Sequence, residues 1–167
     1  MSTRIPPGCS CAGWWVTPPI IQLFHGTAYS NLDSIISGDG ILATAYLTPS
    51  YPTAAAYSLF GPSGGDIGVI REGKPLLMPR PNDCIVLHFD IPREYVLEYG
   101  FFDHQGGFDS SREHKQRLVN PDSFRDYPGT PEDYYLWTEI HFSQGLPNDF
   151  LREYSFPYLP QRGVIEL

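Results

Sequence analysis

The stretch QLFHGTAYSNLDSII, residues 22–36, places a histidine between an apolar run and a glycine. The apolar residues 20–24 predict a short strand, and Leu32, Ile35 and Ile36 recur at helical spacing. We therefore predict a strand that ends at His25 and a short helix over residues 31–37. A histidine in a core does not need a glycine after it. A histidine that holds a ligand at a strand end does, because a glycine lets the backbone come close to the ligand.

The elements that follow indicate the fold class. Residues 41–47 lead into an element that ends at Thr48-Pro49, and residues 52–59, with three alanines, predict a second helix. Helices come early and strands later, which favours an α+β fold with mixed or antiparallel sheets. The strands are predicted at residues 67–70, 84–91 (CIVLHFDI, the clearest), 95–99 after a bulge, 135–142 and 164–167.

Length and composition limit the organisation and the partners. A chain of 167 residues predicts one domain, here residues 20–167, preceded by an irregular arm rich in Pro, Gly and Cys at residues 1–19. The formal charge of -8 argues against sequence-independent binding to nucleic acid, which relies on basic side chains. No apolar run approaches the roughly 20 residues that cross a bilayer. We expect a monomer without a membrane partner.

The three cysteines predict reduced thiols and a cytoplasmic protein, whether made there or delivered into a target cell. Cys9, Cys11 and Cys84 are the alternative: with a histidine they could form part of a metal site, but their spacing fits no common zinc pattern. We therefore expect no metal.

Three segments carry residue types that suit chemistry on a ligand. The first is FHGT at residues 24–27, the second is YLT at 46–48 with the helix that follows it, and the third is WTEIHF at 137–142. Glu139 lies among apolar residues that predict a buried strand, where a carboxylate is unusual unless it has a task. Glu98, Glu132 and Glu153 are the alternative acids.

In this order the segments resemble the ADP-ribosyltransferase superfamily, in the His-Tyr-Glu branch that includes the poly-ADP-ribose polymerase catalytic domains. His25-Gly26-Thr27 is similar to the family's first motif, and Glu139 to its acid. Tyr46 and Tyr57 are similar to its tyrosine pair, with a separation of 57 − 46 = 11 that equals that of the polymerase branch. The resemblance covers residues 20–60 well and 135–142 loosely. The YLT segment also looks like the rifamycin-modifying transferases, which use Asp as the acid.

The resemblance implies two small split sheets, mixed or antiparallel, around a cleft that holds NAD as co-substrate, with short helices. It implies transfer of ADP-ribose from NAD to an acceptor with release of nicotinamide. The residues that it implicates are Glu139, His25 and Tyr46 in catalysis, and His25, Gly26, Thr27, Tyr46, Ala54 and Tyr57 in NAD binding. Glu139 would stabilise an oxocarbenium ion, His25 would bond the adenosine ribose, the backbone of Gly26 would bond the nicotinamide carboxamide, Thr27 would support His25, and the two tyrosines would stack on the nicotinamide.

The departures from the family narrow the expected activity. Trp137 stands where arginine-modifying toxins carry a carboxylate or amide, and no matching Arg opens the domain, so an arginine acceptor is not favoured. Single transfer is favoured over polymer synthesis. The expected acceptor is a protein, then a nucleic-acid group, then a small molecule, in a toxin or effector. An NAD glycohydrolase and an inactive nucleotide- or partner-binding domain of the same fold stay open. We predict structural roles for His88 and His141, which could share a face.

Overall fold

The computed structural model describes residues 20–38, 40, 46–60, 70–71, 74–75, 81–104, 110, 112–113, 115 and 138–167. The predicted arm at residues 1–19, and residues 135–137 of a predicted strand, lie outside them. The strands are β1 Ile20–Ala28, β2 Tyr46–Leu47, β3 Ile70–Arg71, β4 Lys74–Pro75, β5 Cys84–Pro92, β6 Gly100–His104, β7 Thr138–Phe142, β8 Leu151–Ser155 and β9 Val164–Glu166. The α-helices are α1 Leu32–Ser37, α2 Tyr51–Phe60 and α3 Arg93–Tyr99, with 3-10 turns at Tyr29–Asn31, Pro81–Asp83, Asn148–Phe150 and Pro160–Arg162. None of these helices has the length and apolar character needed to cross a membrane.

The strands form two main antiparallel sheets. One has four strands in the order β1-β5-β8-β9, the other has three in the order β2-β7-β6, and β3 pairs with β4. Among the described residues one bridge joins the two main sheets, where Phe24 and Thr48 exchange both backbone hydrogen bonds, of 2.8 and 2.9 Å. The fold is therefore α+β, as the sequence predicts, and every strand pair in the described part of the chain is antiparallel.

Alternation along the strands builds two apolar layers. In β1, Ile21 and Leu23 point into the main core, which also takes Ile140 and Phe142 from β7. Phe24 points to the opposite face and packs with Val86 and with Ala54 of α2. The four-stranded sheet thus has α2 on one face and the main core on the other.

β1 is longer than its sequence predicts. The strand does not end at residue 24 but continues to Ala28, and all nine of its residues pair with β5, from Ile20 opposite Pro92 to Ala28 opposite Cys84. The apolar sequence stops at residue 24 because residues 25–28 are only partly buried and lie outside the core. His25 is therefore inside a strand, and the prediction of a strand end there is wrong.

Residues 95–99 form the helix α3 and not the predicted strand. Pro92 ends β5 because it has no N–H to donate to the ladder, and it then caps the helix that starts at Arg93. Val96 is fully buried on this helix, and the Gly100 N–H bonds the Val96 carbonyl to close it. The other helices are close to their predictions, with α1 at Leu32–Ser37 and α2 at Tyr51–Phe60.

Candidate active site

His25 is tied to the second sheet by its side chain. Its Nδ1 lies 2.8 Å from the backbone carbonyl of Tyr46. A carbonyl can only accept, so Nδ1 carries the proton and donates, which leaves Nε2 of the neutral ring as an acceptor. Burial lowers the pKa of His25 below its ordinary value of 6.5, although the bond to Tyr46 opposes that shift. The ring is therefore neutral at pH 7 and offers one acceptor to a ligand hydroxyl.

Gly26 is required by close packing between β1 and α2. A Cβ on this residue would lie 1.9 Å from the carbonyl oxygen of Ala54 and 2.6 Å from the backbone nitrogen of Ser58. No side chain fits there, so the glycine brings α2 against the strand. The predicted reason for this glycine, the approach of a ligand, does not account for this contact with α2.

The backbone of Gly26 faces the second sheet. Phe24 uses its N–H and C=O to bond Thr48, on the side of β1 away from β5. The backbone groups of a strand alternate sides, so those of Gly26 point to the same edge as those of Phe24, just beyond the bridge. This edge offers one donor and one acceptor at adjacent positions, which suits a carboxamide.

Thr27 and Ala54 have clear structural roles. The Thr27 hydroxyl accepts a hydrogen bond of 3.0 Å from the side-chain amide of Asn31, which ties the end of β1 to the following turn. Ala54 is fully buried against Phe24 and Val86. Contacts of these two residues with NAD stay a prediction.

Glu139 is held by Tyr57. Glu139 lies on β7 with 5% of its surface exposed, and its Oε1 accepts a hydrogen bond from the Tyr57 hydroxyl on α2. Burial, together with this bond to the carboxylate, raises the pKa of Tyr57 well above its ordinary value of 10.0. Tyr57 therefore stays protonated and remains the donor. The packing of α2 on Gly26 thus sets where Glu139 is held.

A row of rings lies beside Glu139 on the same face of the three-stranded sheet. His141 is opposite Tyr46 on one neighbouring strand and Phe101 on the other, with ring centroids 4.1 and 6.0 Å apart. Asp103 is the cross-strand partner of Glu139 in the next row. Tyr46 and Phe101 are 45% and 58% exposed, so this face opens to solvent. Sequence reasoning assigned His141 a structural role, although its spacing of two from Glu139 places both on one face.

Three of these side chains could hold a metal ion. One ligand atom from each of Asp103, Glu139 and His141 lies within 4.8 Å of the others. A carboxylate pair with an imidazole suits a divalent ion such as Mn²⁺ or Zn²⁺. The expectation that the protein uses no metal stays a prediction.

His88 belongs to a different polar group, on the other main sheet. Its Nδ1 lies 3.2 Å from Oε1 of Glu153 and its Nε2 lies 2.8 Å from Oγ of Ser155, whose oxygen also bonds the Tyr51 hydroxyl at 2.8 Å. His88 and Glu153 are 1% and 4% exposed. This group is a satisfied buried network, which removes Glu153 as the alternative acid. His88 and His141 lie on separate sheets, so the prediction that they share a face is wrong.

The predicted site residues therefore meet through a short series of contacts. His25 bonds the backbone of Tyr46, Tyr46 contacts His141 beside Glu139, and Glu139 bonds Tyr57, whose helix packs on Gly26. Of the alternative acids, Glu98 is exposed on α3, and Glu132 lies outside the described residues.

No family model, curated protein or solved structure matches the chain. The function is therefore inferred from the residues and their geometry.

Proposed function

We propose that this protein is an NAD-dependent mono-ADP-ribosyltransferase with the split-sheet fold of that superfamily. The proposal depends most on two hydrogen bonds. The neutral ring of His25 donates to the Tyr46 carbonyl, and the buried carboxylate of Glu139 accepts from the Tyr57 hydroxyl. Two antiparallel sheets joined at one bridge support the finer fold. NAD would lie beyond that bridge, along the free edge of β1.

The reaction needs little acid–base help at the bond that breaks. Nicotinamide leaves NAD as a neutral molecule because its ring nitrogen is already cationic, so no group must protonate it. Positive charge develops on the ribose, as in glycoside hydrolysis. A fixed carboxylate stabilises such a charge without reorganisation. Glu139 is suited to this role because Tyr57 fixes one of its oxygens and leaves the other toward His141.

NAD recognition is assigned to β1 and the two tyrosines. The unprotonated Nε2 of His25 accepts a hydrogen bond from a hydroxyl of the adenosine ribose. The N–H and C=O of Gly26 pair with the nicotinamide carboxamide. Tyr46 and Tyr57 present aromatic faces to the cationic ring, a contact worth about 0.5–2 kcal/mol.

The decisive test is nicotinamide release from NAD by purified protein, measured alone and with labelled NAD in a cell lysate. Glu139→Gln keeps the size of the side chain and removes its charge, and we expect it to lower the rate about 100- to 1000-fold, as for loss of one electrostatic group. Glu98→Gln is the matched control, because it removes an exposed carboxylate of the same type on α3 and should leave the rate unchanged.

The outcomes separate the three candidate functions. Label on macromolecules supports the transferase. Nicotinamide release without label on any acceptor supports an NAD glycohydrolase. NAD binding without release of nicotinamide supports a binding domain. Equal rates of nicotinamide release in wild type and Glu139→Gln contradict the catalytic role of Glu139.

A further inference from the structure

We propose that His141 is the base that activates the acceptor, and that the acceptor is an aliphatic hydroxyl of the serine or threonine type on a protein. This inference rests on the proposed function, which supplies the ADP-ribose. It adds a catalytic residue and an acceptor class that the resemblance does not provide.

The first observation is an unsatisfied nitrogen beside the catalytic carboxylate. Nε2 of His141 is buried and has no hydrogen-bond partner within the described part of the chain. It lies 3.8 Å from Oε2 of Glu139, too far for a direct hydrogen bond. A buried polar atom left without a partner is unfavourable for the folded state. A ligand group that bonds this nitrogen would remove that cost.

The separation of the two side-chain atoms suits a bridging hydroxyl. An oxygen can lie about 2.8 Å from both atoms, within ordinary hydrogen-bond distance, when they are 3.8 Å apart. The ring of His141 is fixed for this task by Tyr46 and Phe101 on its two flanking strands. The side chain as a whole is 23% exposed, although Nε2 itself is buried, so the rest of the ring lies at the solvent face and its reactive nitrogen lies beneath it.

The surroundings select against anionic acceptors. A carboxylate acceptor needs no base and would be repelled by Glu139 and by the exposed Asp103 opposite it. A nucleic acid would carry its phosphates toward these acids and toward a chain of charge -8. A neutral alcohol is a weak nucleophile that gains from a base. The exposed faces of Tyr46 and Phe101 provide apolar contacts for the carbon that carries it.

The step balances without a further reactant. The acceptor oxygen bonds to the ribose carbon that carries nicotinamide, and the bond from that carbon to the ring nitrogen breaks with its electron pair going to the nitrogen. The hydroxyl proton passes to Nε2 of His141 and then to solvent. The products are the ADP-ribosylated alcohol, neutral nicotinamide and one proton.

The test measures how ADP-ribose divides between water and small acceptors, with EDTA present to exclude bound metal. N-acetylserinamide, agmatine, acetate and uridine 5′-phosphate are compared as hydroxyl, guanidinium, carboxylate and nucleotide probes. Wild type should transfer to N-acetylserinamide in preference to the others. His141→Gln should lower the ratio of serinamide adduct to free ADP-ribose about 100-fold, within the usual range for a lost base. Hydrolysis should fall less than transfer, because water in large excess also reaches the oxocarbenium centre without a positioned base.

Asp103→Asn serves as the control for charge beside His141. Asp103 is exposed and is the cross-strand partner of Glu139, so this variant removes a neighbouring charge and keeps His141. It should keep the wild-type ratio of serinamide adduct to free ADP-ribose.

Several results would overturn the inference. An unchanged serinamide ratio in His141→Gln removes His141 as the base. Preference for agmatine, acetate or uridine 5′-phosphate contradicts the acceptor class. Equal loss of hydrolysis and transfer would place His141 on NAD and not on the acceptor. Absence of nicotinamide release from wild type would instead refute the proposed function itself, which the Glu139→Gln comparison reports separately.

Discussion

Gly26→Ala is the substitution that tests the site and the fold together. The added Cβ would lie 1.9 Å from the Ala54 carbonyl oxygen, and side-chain carbons do not approach other atoms closer than 3.0 Å. Helix α2 or strand β1 must therefore move by at least 3.0 − 1.9 = 1.1 Å. Both obstructing atoms, on Ala54 and Ser58, are backbone, so no side chain can rotate away. Overpacking of this kind costs about 1–3 kcal/mol.

The expected result has a thermal and a kinetic part. For a chain of this size each kcal/mol lowers Tm by about 2–4 °C, so the variant should melt about 2–12 °C lower than wild type. Tyr57 lies on the displaced helix and would move with it, which would displace Glu139. A displacement of about 1 Å in a catalytic group can lower the rate about 100-fold. Differential scanning calorimetry gives the first value and nicotinamide release under native conditions gives the second.

Gly163→Ala is the matched control for Gly26→Ala. It has no atom within 4 Å of the added Cβ, but its φ of +67° favours glycine. With its ψ of −162°, this backbone conformation is almost exclusive to glycine, so the variant should lose about 1–3 kcal/mol from backbone strain, with no effect on the rate. If Gly26→Ala has the Tm and the rate of nicotinamide release of wild type, then α2 is not packed closely on β1. That result would refute the inference that this packing positions Glu139.

Three further predictions concern single contacts at the site. Tyr57→Phe keeps the ring and removes the hydroxyl that holds Glu139; we expect kcat to fall about 10-fold or more while NAD affinity by calorimetry stays close to wild type, and a larger loss of affinity than of kcat would contradict the positioning role. Tyr46→Ala should weaken NAD binding by about 0.5–2 kcal/mol, the value of a cation–π contact, with an unchanged circular dichroism spectrum; undiminished affinity in a folded variant argues against stacking. His25 has a pKa below 6.5, so the unfolded chain binds its proton more readily, and the stability that depends on the neutral ring is full above about pH 6.5 and is lost as pH falls toward the folded value. Urea unfolding between pH 5 and 7 should therefore show a steeper loss in wild type than in His25→Asn, and parallel curves would show that this ring does not titrate as described.

The strands at the centre of the fold could be predicted from local sequence, but their lengths could not. β5 reads as a strand because apolar and β-branched residues fill residues 84–91 between two prolines. Residues 25–28 of β1 have no such pattern. They are extended because β5 continues opposite them as far as Cys84, which is a tertiary cause. The same limit applies to α3, where Pro92 ended the strand and burial of Val96 favoured a helix over the expected continuation.

The identity of the candidate site residues was accessible, whereas their physical linkage was not. Glu139 stood out because an acid within an apolar run needs an explanation. Its bond to Tyr57 spans 82 residues, and it exists because α2 docks where Gly26 has no side chain. His141 could have been included from alternation alone, because residues two apart on a strand share a face. His141 is predicted to be structural because two histidines alone are weak evidence for a metal site. That reason says nothing about whether His141 can act as a general base.

Two histidine–carboxylate pairs lie in the described part of the chain, and they show why one is suited to chemistry and the other is not. His88 and Glu153 are 3.2 Å apart, and the second ring nitrogen of His88 is also bonded, so each ring nitrogen already has a partner in a buried setting. His141 and Glu139 are 3.8 Å apart, with a nitrogen left unbonded among the described residues beside a face that opens to solvent. Removing His88 leaves buried partners unsatisfied and should lower stability, since a buried group that loses its partner costs about 1–3 kcal/mol. Among the described residues, no group loses a hydrogen bond to Nε2 when His141 is replaced. The replacement should therefore lower the rate of transfer to the acceptor and leave the melting temperature unchanged.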